Sequence, residues 1–233
     1  MSAMSSGALP RLLAKLRNAL ARNPFETYLA DVSGVIHVGA HLGQERDLYA
    51  RYGLAVLWIE PLEAHFRELE RNIASYPSQR AVRALVTNVD GVEHTFHVAS
   101  NTGASSSILE LAMHADAWPD VHYVAETRIV GTTLPSLLAA EGIDPSAYDA
   151  LVVDTQGADL LVLQGAEPLL DGFGYVQVEA PDFEAYRGCG LVTDIDALLA
   201  AHGFAEIARR TIGRHPSGGR YYDLLYRKRT RTR

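Results

Sequence analysis

The first residues that could do chemistry form a small loop at residues 38–44, with the sequence VGAHLGQ. Glycine and alanine let a backbone approach a ligand closely, and the helix expected to begin at Gln44 offers unpaired N–H groups. Gly39 and Gly43 could equally serve a tight turn between a strand and a helix. The loop alone therefore leaves ligand binding and a structural turn as equal alternatives.

Polar residues after the next two predicted strands favour a ligand. Glu60 and Pro61 follow the second strand, where a carboxylate can accept hydrogen bonds from both hydroxyls of a ribose. Thr87 and Asn88 follow the third strand, and we expect one of them near an adenine ring. Together with the loop, they describe a site for an adenosine-containing cofactor. NAD is disfavoured, because the dinucleotide fingerprint requires a glycine where this chain has His41.

Alternating strands and helices must position these residues. Short apolar runs predict parallel strands at residues 35–38, 55–59, 82–86, 150–153 and 175–178. Helical spacing predicts helices from Gln44 onward and at residues 63–73, 133–141, 158–170 and 194–202. Strands that are apolar on both faces must be covered on both sides, so the sequence predicts a doubly wound α/β fold. Ligands of such folds bind beyond the carboxyl ends of the strands.

Two antiparallel pairs and a polar loop complete the predicted elements. The Asp90-Gly91 turn should lead the third strand into an antiparallel strand at residues 92–98. Residues 204–212 and 221–227 flank a turn rich in Gly, Pro and Ser and predict a C-terminal hairpin. In the polar loop at residues 100–107, we expect Ser106 to close over a cofactor or acceptor.

The composition excludes several classes of protein. The 233 residues are 48% hydrophobic, and they include no apolar run of the roughly 18 residues that span a membrane. The single cysteine, Cys189, excludes an intrachain disulfide and a thiolate zinc site. Without a signal-peptide pattern, the chain is expected to be cytoplasmic. The net charge of -7, with an acidic body before a basic tail, argues against nucleic-acid binding.

One domain with an extension at each end is the expected organisation. Residues 1–33 are predicted to be a helical extension, with leucines at helical spacing over residues 11–21. This amphipathic helix could pack on the core or on a second subunit of a homodimer, and it is too short to favour stable membrane insertion. Residues 34–227 form the predicted domain, and residues 228–233 form a solvated basic tail.

Several stretches of the sequence resemble the FkbM family of S-adenosylmethionine-dependent methyltransferases. They are residues 36–44 (IHVGAHLGQ), 59–61 (IEP), 100–108 (SNTGASSSI), 132–134 (TTL), 153–160 (VDTQGADL) and 178–179 (VE). The resemblance runs from about Gly34 to Tyr226, and the order and spacing of the stretches carry it. It assigns residues 34–227 to a methyltransferase domain.

The resemblance implies a Rossmann-like sheet of seven strands, of the class I methyltransferase type, that ends in an antiparallel hairpin. It also implies methyl transfer from S-adenosylmethionine to a hydroxyl of a small molecule or oligosaccharide, such as a saccharide or a glycosylated or other natural product. Three positions depart from the family pattern. His37 stands where the family commonly has Asp, and Gln156 and Asp159 stand where it commonly has Glu.

The resemblance and the strand-end positions together predict the site residues. A general base must take the proton of the acceptor hydroxyl, and Asp154, Glu179 and His41 are the candidates. Asp154 and Glu179 could instead hold Mg²⁺ together with Asp182. The residues expected to contact the cofactor are His37, Gly39, Ala40, His41, Gly43, Gln44, Glu60, Pro61, Thr87, Asn88, Ser106, Asp154, Thr155 and Gln156.

Two other functions remain open on the sequence. An NAD-dependent Rossmann oxidoreductase would share the loop and the acid after the second strand. A cofactor-binding scaffold without catalysis would agree with the departures at His37 and Gln156. The acceptor and the need for a metal are not determined by these residues.

Overall fold

A computed structural model describes residues 23–229 of the chain. The predicted amphipathic helix at residues 11–21 and the end of the basic tail at residues 230–233 lie outside the described residues. The described chain begins with the short helix Pro24–Thr27 and the 3-10 turn Tyr28–Asp31. Their side chains Phe25, Tyr28 and Leu29 are buried against one face of a central sheet.

The strands of the described chain belong to two sheets. In chain order they are β1 (Gly34–Val38), β2 (Ala55–Ile59), β3 (Gln79–Val82), β4 (Leu85–Val86), β5 (Glu93–Ala99), β6 (Tyr123–Thr132), β7 (Ala150–Val153), β8 (Tyr175–Pro181), β9 (Phe204–Arg214) and β10 (Arg220–Lys228). The larger sheet has seven strands in the order β3-β2-β1-β7-β8-β10-β9. Its neighbours are parallel except for the two pairs that include β10. This confirms the predicted class I α/β sheet with its C-terminal hairpin.

Helices cover both faces of the large sheet, as its doubly apolar strands require. The α-helices after the first are Arg46–Arg51, Glu63–Ile73, His114–Ala117, Leu134–Ala140, Asp159–Gly165 and Val192–Ala201, with 3-10 turns at Pro145–Ala147 and Glu167–Gly172. Ile36 and Leu151 face one apolar layer, and Val35 and Val152 face the other. None of the helices described between residues 23 and 229 is long and apolar enough to cross a lipid bilayer.

The predicted helix at residues 158–170 was too long. The structure ends it at Gly165 and continues with the 3-10 turn Glu167–Gly172. Pro168 explains the break, because proline has no N–H for a helical hydrogen bond. Gly165 lies so close to β4 that a Cβ there would be 2.1 Å from the carbonyl oxygen of Thr87.

The prediction for residues 82–98 was wrong in its pairing. Instead of one strand at residues 82–86, β3 pairs with β2, and β4 turns away to pair with β6. Strand β5 is antiparallel to β6 and not to the third strand, so the Asp90-Gly91 turn does not make the expected hairpin. The three strands form a small sheet of order β4-β6-β5. The sequence did not predict β6, because most of its residues are exposed and it lacks an apolar pattern.

Candidate active site

A cleft opens beyond the carboxyl ends of β1, β2 and β7, where the strand order reverses between β1 and β7. Three loops from these strand ends and one loop from the small sheet surround it. Most of the residues predicted to contact a cofactor line it: His37, Gly39, Ala40, His41, Gln44, Glu60, Pro61, Ser106, Asp154, Thr155 and Gln156. The residues predicted for the site that do not line it are Gly43, Thr87, Asn88, Glu179 and Asp182.

Glu60 is the buried carboxylate at the end of β2. Its Oε2 accepts the backbone N–H of His41 at 2.9 Å, and its Oε1 accepts the N–H of Leu62 at 3.0 Å. Each carboxylate oxygen has a second lone pair, so both can accept a further hydrogen bond. The carboxylate therefore joins the first two loops and still offers two acceptors to the cleft.

Gly39 brings the first loop against the loop after β7. It has a φ of +84°, and a Cβ there would lie 1.8 Å from the carbonyl oxygen of Asp154. The position therefore requires glycine for both its conformation and its close contact. Gly43, with a φ of +70°, packs against Leu69 and Ile73 outside the cleft. For Gly43, the structural turn was the correct alternative.

His37 is buried at the base of the cleft on β1. Its Nδ1 lies 3.1 Å from the hydroxyl of Tyr49, and its ring packs against Trp58 with 4.9 Å between ring centroids. Burial lowers the pKa of His37 to about 4, although the charge of Asp154 opposes this shift. His37 is therefore neutral at pH 7 and adds no positive charge to the cleft.

Asp154 and Glu179 meet through the side chain of Gln156. The Nε2 of Gln156 donates to Asp154 Oδ1 at 2.7 Å and lies 3.3 Å from Glu179 Oε2. Burial and the charge of Asp154 raise the pKa of Glu179 well above its usual range. Burial beside Asp154 therefore favours the protonated form of Glu179.

The buried Asp159 carboxylate holds the backbone of the loop that follows β7. Its carboxylate accepts the N–H groups of Thr155 at 2.9 Å and Gly157 at 3.0 Å. Burial, followed by the charge of Asp154, raises the pKa of Asp159 to about 7. Asp154 and Asp159, which follow β7, thus lie close to Glu179 of β8, and burial disfavours ionisation of all three carboxyl groups together.

Residues 101–107, which we call the lid loop, close the cleft from the side of the small sheet. The Ser107 hydroxyl donates to the Gln156 carbonyl at 2.7 Å, and the Ser106 hydroxyl accepts the Ala99 N–H at 3.0 Å. A Cβ on Gly103 would lie 2.2 Å from the ring of His65, so the lid loop contacts the far rim directly. Ser106 therefore lies at the cleft, in the loop where it was predicted.

Backbone strain concentrates in these loops. Among the described residues, the non-glycine residues with positive φ are His41 at 46°, Thr102 at 57° and Gln156 at 54°. Such conformations are costly for residues with a Cβ and cluster at functional sites. Each of the three lies at the cleft or contacts a residue that lines it.

His41 is held in a way that contradicts its predicted role as a base. Its Nε2 lies 3.0 Å from the carbonyl oxygen of Thr102, to which only an N–H can donate. Its Nδ1 lies 2.9 Å from the amide nitrogen of Gln44, which can only donate. Both ring nitrogens are thereby occupied, and the Nε2–H tautomer follows. His41 fastens the lid loop to the first loop and has no free nitrogen to accept a proton.

The far end of the cleft is apolar. It is lined by Leu62, Leu85, Phe96 and Ile108, which also pack together as a small cluster around the base of the small sheet. Sequence reasoning missed all four. Leu85 is close to a predicted strand end. Phe96 lies on β5, which pairs with β6, and Ile108 follows a bridge between His97 and Ser107; the sequence holds no local signal for either pairing.

Thr87 and Asn88 do not line the cleft, in contrast to the prediction that they contact the cofactor. Thr87 is fully buried, and its hydroxyl donates to the carbonyl of Val89 at 3.1 Å. Asn88 donates its amide to Gln164 at 3.2 Å. Both residues turn toward the helix Asp159–Gly165 because β4 leaves the large sheet before them.

The Mg²⁺ site predicted on Asp154, Glu179 and Asp182 is not supported. Asp182 is exposed and accepts the N–H of Arg220 at 2.6 Å and the hydroxyl of Tyr222 at 3.1 Å. Alternate residues of a strand face opposite sides, and Tyr222 pairs with Ala180, so Asp182 turns to the face opposite Glu179. Residues 23–229 include no group of three or more His, Cys, Asp or Glu side chains arranged to hold a metal ion.

Comparison with known proteins agrees with this architecture. The family model described as the methyltransferase FkbM domain matches residues 37–205, which span every strand end around the cleft. No curated protein sequence matches the chain significantly.

Solved structures with a similar fold include several methyltransferases. A candidate sarcosine dimethylglycine methyltransferase from Galdieria sulphuraria has 10% identity and a TM-score of 0.51, over 94% of this chain and 85% of that one. Sp1610 from Streptococcus pneumoniae, a candidate tRNA methyltransferase in complex with S-adenosyl-L-methionine, has 12% identity and a TM-score of 0.46, over 91% and 75%. The N-terminal domain of EvdMO1, solved with SAH and D-fucose, has 11% identity and a TM-score of 0.48, over 88% and 80%. The first of these similarities supports the class I methyltransferase fold.

Proposed function

Because this chain belongs to the FkbM methyltransferase family, we propose that it transfers a methyl group from S-adenosylmethionine to a hydroxyl oxygen. We propose further that the hydroxyl belongs to a saccharide or to a glycosylated or other natural product. The observation that carries the proposal is the convergence of Glu60, Gly39 and Asp154, each from a different strand end, on one cleft.

The residues of the cleft fit S-adenosylmethionine. The Glu60 carboxylate keeps one acceptor on each oxygen for the two hydroxyls of a ribose. The apolar end, with Leu85 and Phe96, suits a flat purine ring. At the opposite end, Asp154 supplies negative charge and the neutral His37 supplies no positive charge, which favours a cationic ligand.

When bound, S-adenosylmethionine supplies a methyl group on a positively charged sulfur, and its transfer to oxygen leaves a neutral thioether and releases the hydroxyl proton. Asp154 is the group that we assign to accept this proton, because its carboxylate lines the cleft, whereas Glu179 does not line it. A base in hydrogen-bond reach of the hydroxyl contributes typically about 10²–10⁴-fold to the rate. Holding the acceptor in line is the other contribution of the protein.

The proposal of a saccharide acceptor rests on the sequence resemblance and on the chemistry of the cleft. A sugar hydroxyl has a high pKa, so its attack benefits from a carboxylate that takes the proton as the bond forms. The negative charge near Asp154 favours a neutral acceptor over an anionic one.

Calorimetry separates this proposal from an NAD-dependent oxidoreductase. We expect S-adenosylhomocysteine to bind the wild-type protein and NADH not to bind. Glu141→Gln, which changes a distant exposed carboxylate, is the matched control for cofactor-site variants and should bind as the wild type does. Binding of NADH without S-adenosylhomocysteine would overturn the proposal.

Product analysis tests methyl transfer itself. The protein is incubated with S-adenosylmethionine that carries an isotopically labelled methyl group and with a panel of saccharides and glycosylated natural products. Mass spectrometry should detect the label on a hydroxyl oxygen of one acceptor class. Binding of the cofactor without label transfer to any acceptor, including a cellular metabolite extract, would favour a non-catalytic scaffold.

A further inference from the structure

Gln156 occupies the centre of the polar end of the cleft and contacts several parts of it at once. Its side-chain amide nitrogen donates to Asp154 at 2.7 Å and lies 3.3 Å from Glu179. Its side-chain oxygen accepts the hydroxyl proton of Tyr186 at 3.0 Å. Its backbone carbonyl accepts the hydroxyl of Ser107, in the lid loop, at 2.7 Å.

The backbone conformation of Gln156 is imposed by its surroundings. The residue has a φ of +54° and is followed by Gly157 with a φ of +94°. The Asp159 carboxylate holds the N–H groups on either side, at Thr155 and Gly157. A residue with a Cβ adopts this left-handed conformation at a cost in free energy. Because the surrounding hydrogen bonds hold the backbone in this conformation, we infer that the exact placement of the Gln156 side chain matters.

The chemistry of an amide suits this place in a way that an acid does not. On one side, the Gln156 amide faces the carboxyl groups of Asp154 and Glu179, which need a hydrogen-bond donor. On the other side it faces the Tyr186 hydroxyl, which needs an acceptor. The side chain of glutamine has both, a donor N–H group and an acceptor oxygen. An ionised carboxylate at the same place would have no hydrogen to donate and would repel Asp154.

We propose that Gln156 is the positioning residue of the methyl-transfer site, which aims the Asp154 carboxylate at the acceptor hydroxyl and fixes it against Glu179. The inference rests on the proposed function and goes beyond cofactor contact. Gln156 itself exchanges no proton. The hydroxyl of Tyr186 sets the orientation of its amide, and the hydroxyl of Ser107 holds its backbone carbonyl.

The kinetic test removes the amide hydrogen bonds while keeping the length of the side chain. Gln156→Met should lower kcat by about 10- to 100-fold, because small misplacements of a reacting group cost up to about 10²-fold. The KM for the acceptor should change less than kcat. Gln164→Met is the matched control, because Gln164 contacts Asn88 outside the cleft. Wild-type kcat in Gln156→Met would overturn the proposal.

A graded series then tests the direction of the amide. Tyr186→Phe removes the hydroxyl that donates to the side-chain oxygen but leaves Gln156 in place. We expect a loss of kcat of about two- to tenfold, smaller than that of Gln156→Met, since one neutral hydrogen bond is removed. A larger loss in Tyr186→Phe than in Gln156→Met would show that Gln156 is not the group that aims Asp154.

Gln156→Glu gives a readout that needs neither cofactor nor turnover. The titratable groups around residue 156 are Asp154, Asp159, Glu179 and Tyr186, with His37 beside Asp154 and with Asp223 and Tyr221 behind Glu179. A glutamate placed among them should be protonated in the folded protein at a pH where it ionises in the unfolded chain. The raised folded pKa contributes stability at low pH that is lost as the pH rises.

The thermal unfolding temperature of Gln156→Glu, relative to wild type, should therefore be lower at pH 8 than at pH 5.5 by about 2–4 °C or more. Gln164→Glu, the half-buried control outside the cleft, should show no such dependence on pH. An equal difference from wild type at both pH values would overturn the contact of Gln156 with the carboxyl pair. If the wild-type protein fails to transfer methyl groups, this measurement still decides the contact, so the two proposals fail separately.

Discussion

The two walls of the cleft have different origins. One wall consists of residues that directly follow strands of the large sheet, with Gly39, Glu60 and Asp154 at the ends of β1, β2 and β7. The opposite wall comes from the small sheet and the lid loop, with Phe96 and Ile108. The first wall is polar and charged, whereas the second is mainly apolar.

This difference indicates that the polar wall carries the reacting groups, whereas the apolar wall encloses the ligand. The polar wall is fixed by the parallel strands, whose carboxyl ends must lie at one edge of the sheet. The apolar wall depends on the antiparallel pairing of β5 with β6, which brings together residues that are distant in the chain. We therefore expect changes in the polar wall to affect the chemical step or the affinity strongly. Changes in the apolar wall should affect mainly affinity and closure.

The strongest test of the polar wall is Asp154→Asn. The amide cannot accept the hydroxyl proton, so kcat should fall by about 10²–10⁴-fold while S-adenosylhomocysteine still binds. Mass spectrometry of label transfer measures the loss of kcat, and calorimetry measures the binding of S-adenosylhomocysteine. Asp182→Asn is the matched control, because Asp182 lies on the other face of the sheet, and it should stay near wild type. Equal kcat in Asp154→Asn and wild type would remove Asp154 from the chemistry.

Glu60→Gln should have the next largest effect, on affinity. The carboxylate accepts two backbone N–H groups, whereas an amide can accept only one of them in the same geometry. Loss of hydrogen bonds to a charged group should weaken S-adenosylhomocysteine binding by about 10- to 100-fold. At saturating cofactor, kcat should change little. Glu63→Gln changes an exposed carboxylate nearby and is the control; equal affinities of the two variants would contradict the role of Glu60.

The sequence could predict the polar wall because its residues sit next to their strands in the chain. A buried strand followed by Glu60 or Asp154 fixes where the carboxylate lies without knowledge of distant contacts. His41 shows the limit of this reasoning, because its position was predicted but the hydrogen bond of its ring to Thr102 was not. The prediction that Thr87 lines the cleft was wrong for a similar reason, since β4 leaves the large sheet to pair with β6.

Residues of the apolar wall could not be predicted, because no local pattern marks them. Strand β6 is largely exposed, and its pairing with β5 joins Phe96 to Thr127, 31 positions along the sequence. The helix Glu63–Ile73, by contrast, was predicted with its observed bounds, because its buried Leu69 and Ile73 lie four residues apart on one face. The local periodicity of apolar residues predicts this helix, whereas no local pattern predicts the pairing of β5 with β6.

Phe96→Leu tests the apolar wall. The change keeps a buried apolar side chain but removes the ring, so we expect the affinity for S-adenosylhomocysteine to fall by about three- to tenfold. The free energy of unfolding should fall by less than about 1.5 kcal/mol. Phe25→Leu is the control for stability, because Phe25 is buried in a different apolar cluster from Phe96. An effect on kcat as large as that of Asp154→Asn would erase the division between the two walls.

His41→Asn probes the place where the two walls meet and should have the smallest effect. Asparagine tolerates the positive φ of this position, and the substitution removes the hydrogen bond from the ring to Thr102. One hydrogen bond of this kind is worth about 0.5–1.5 kcal/mol, so the KM for the cofactor should rise by about two- to tenfold through a looser lid loop. The value of kcat should stay close to wild type. A loss of kcat above about 10²-fold, with a changed pH profile, would instead restore His41 as the base and move the proton acceptor from β7 to the first loop.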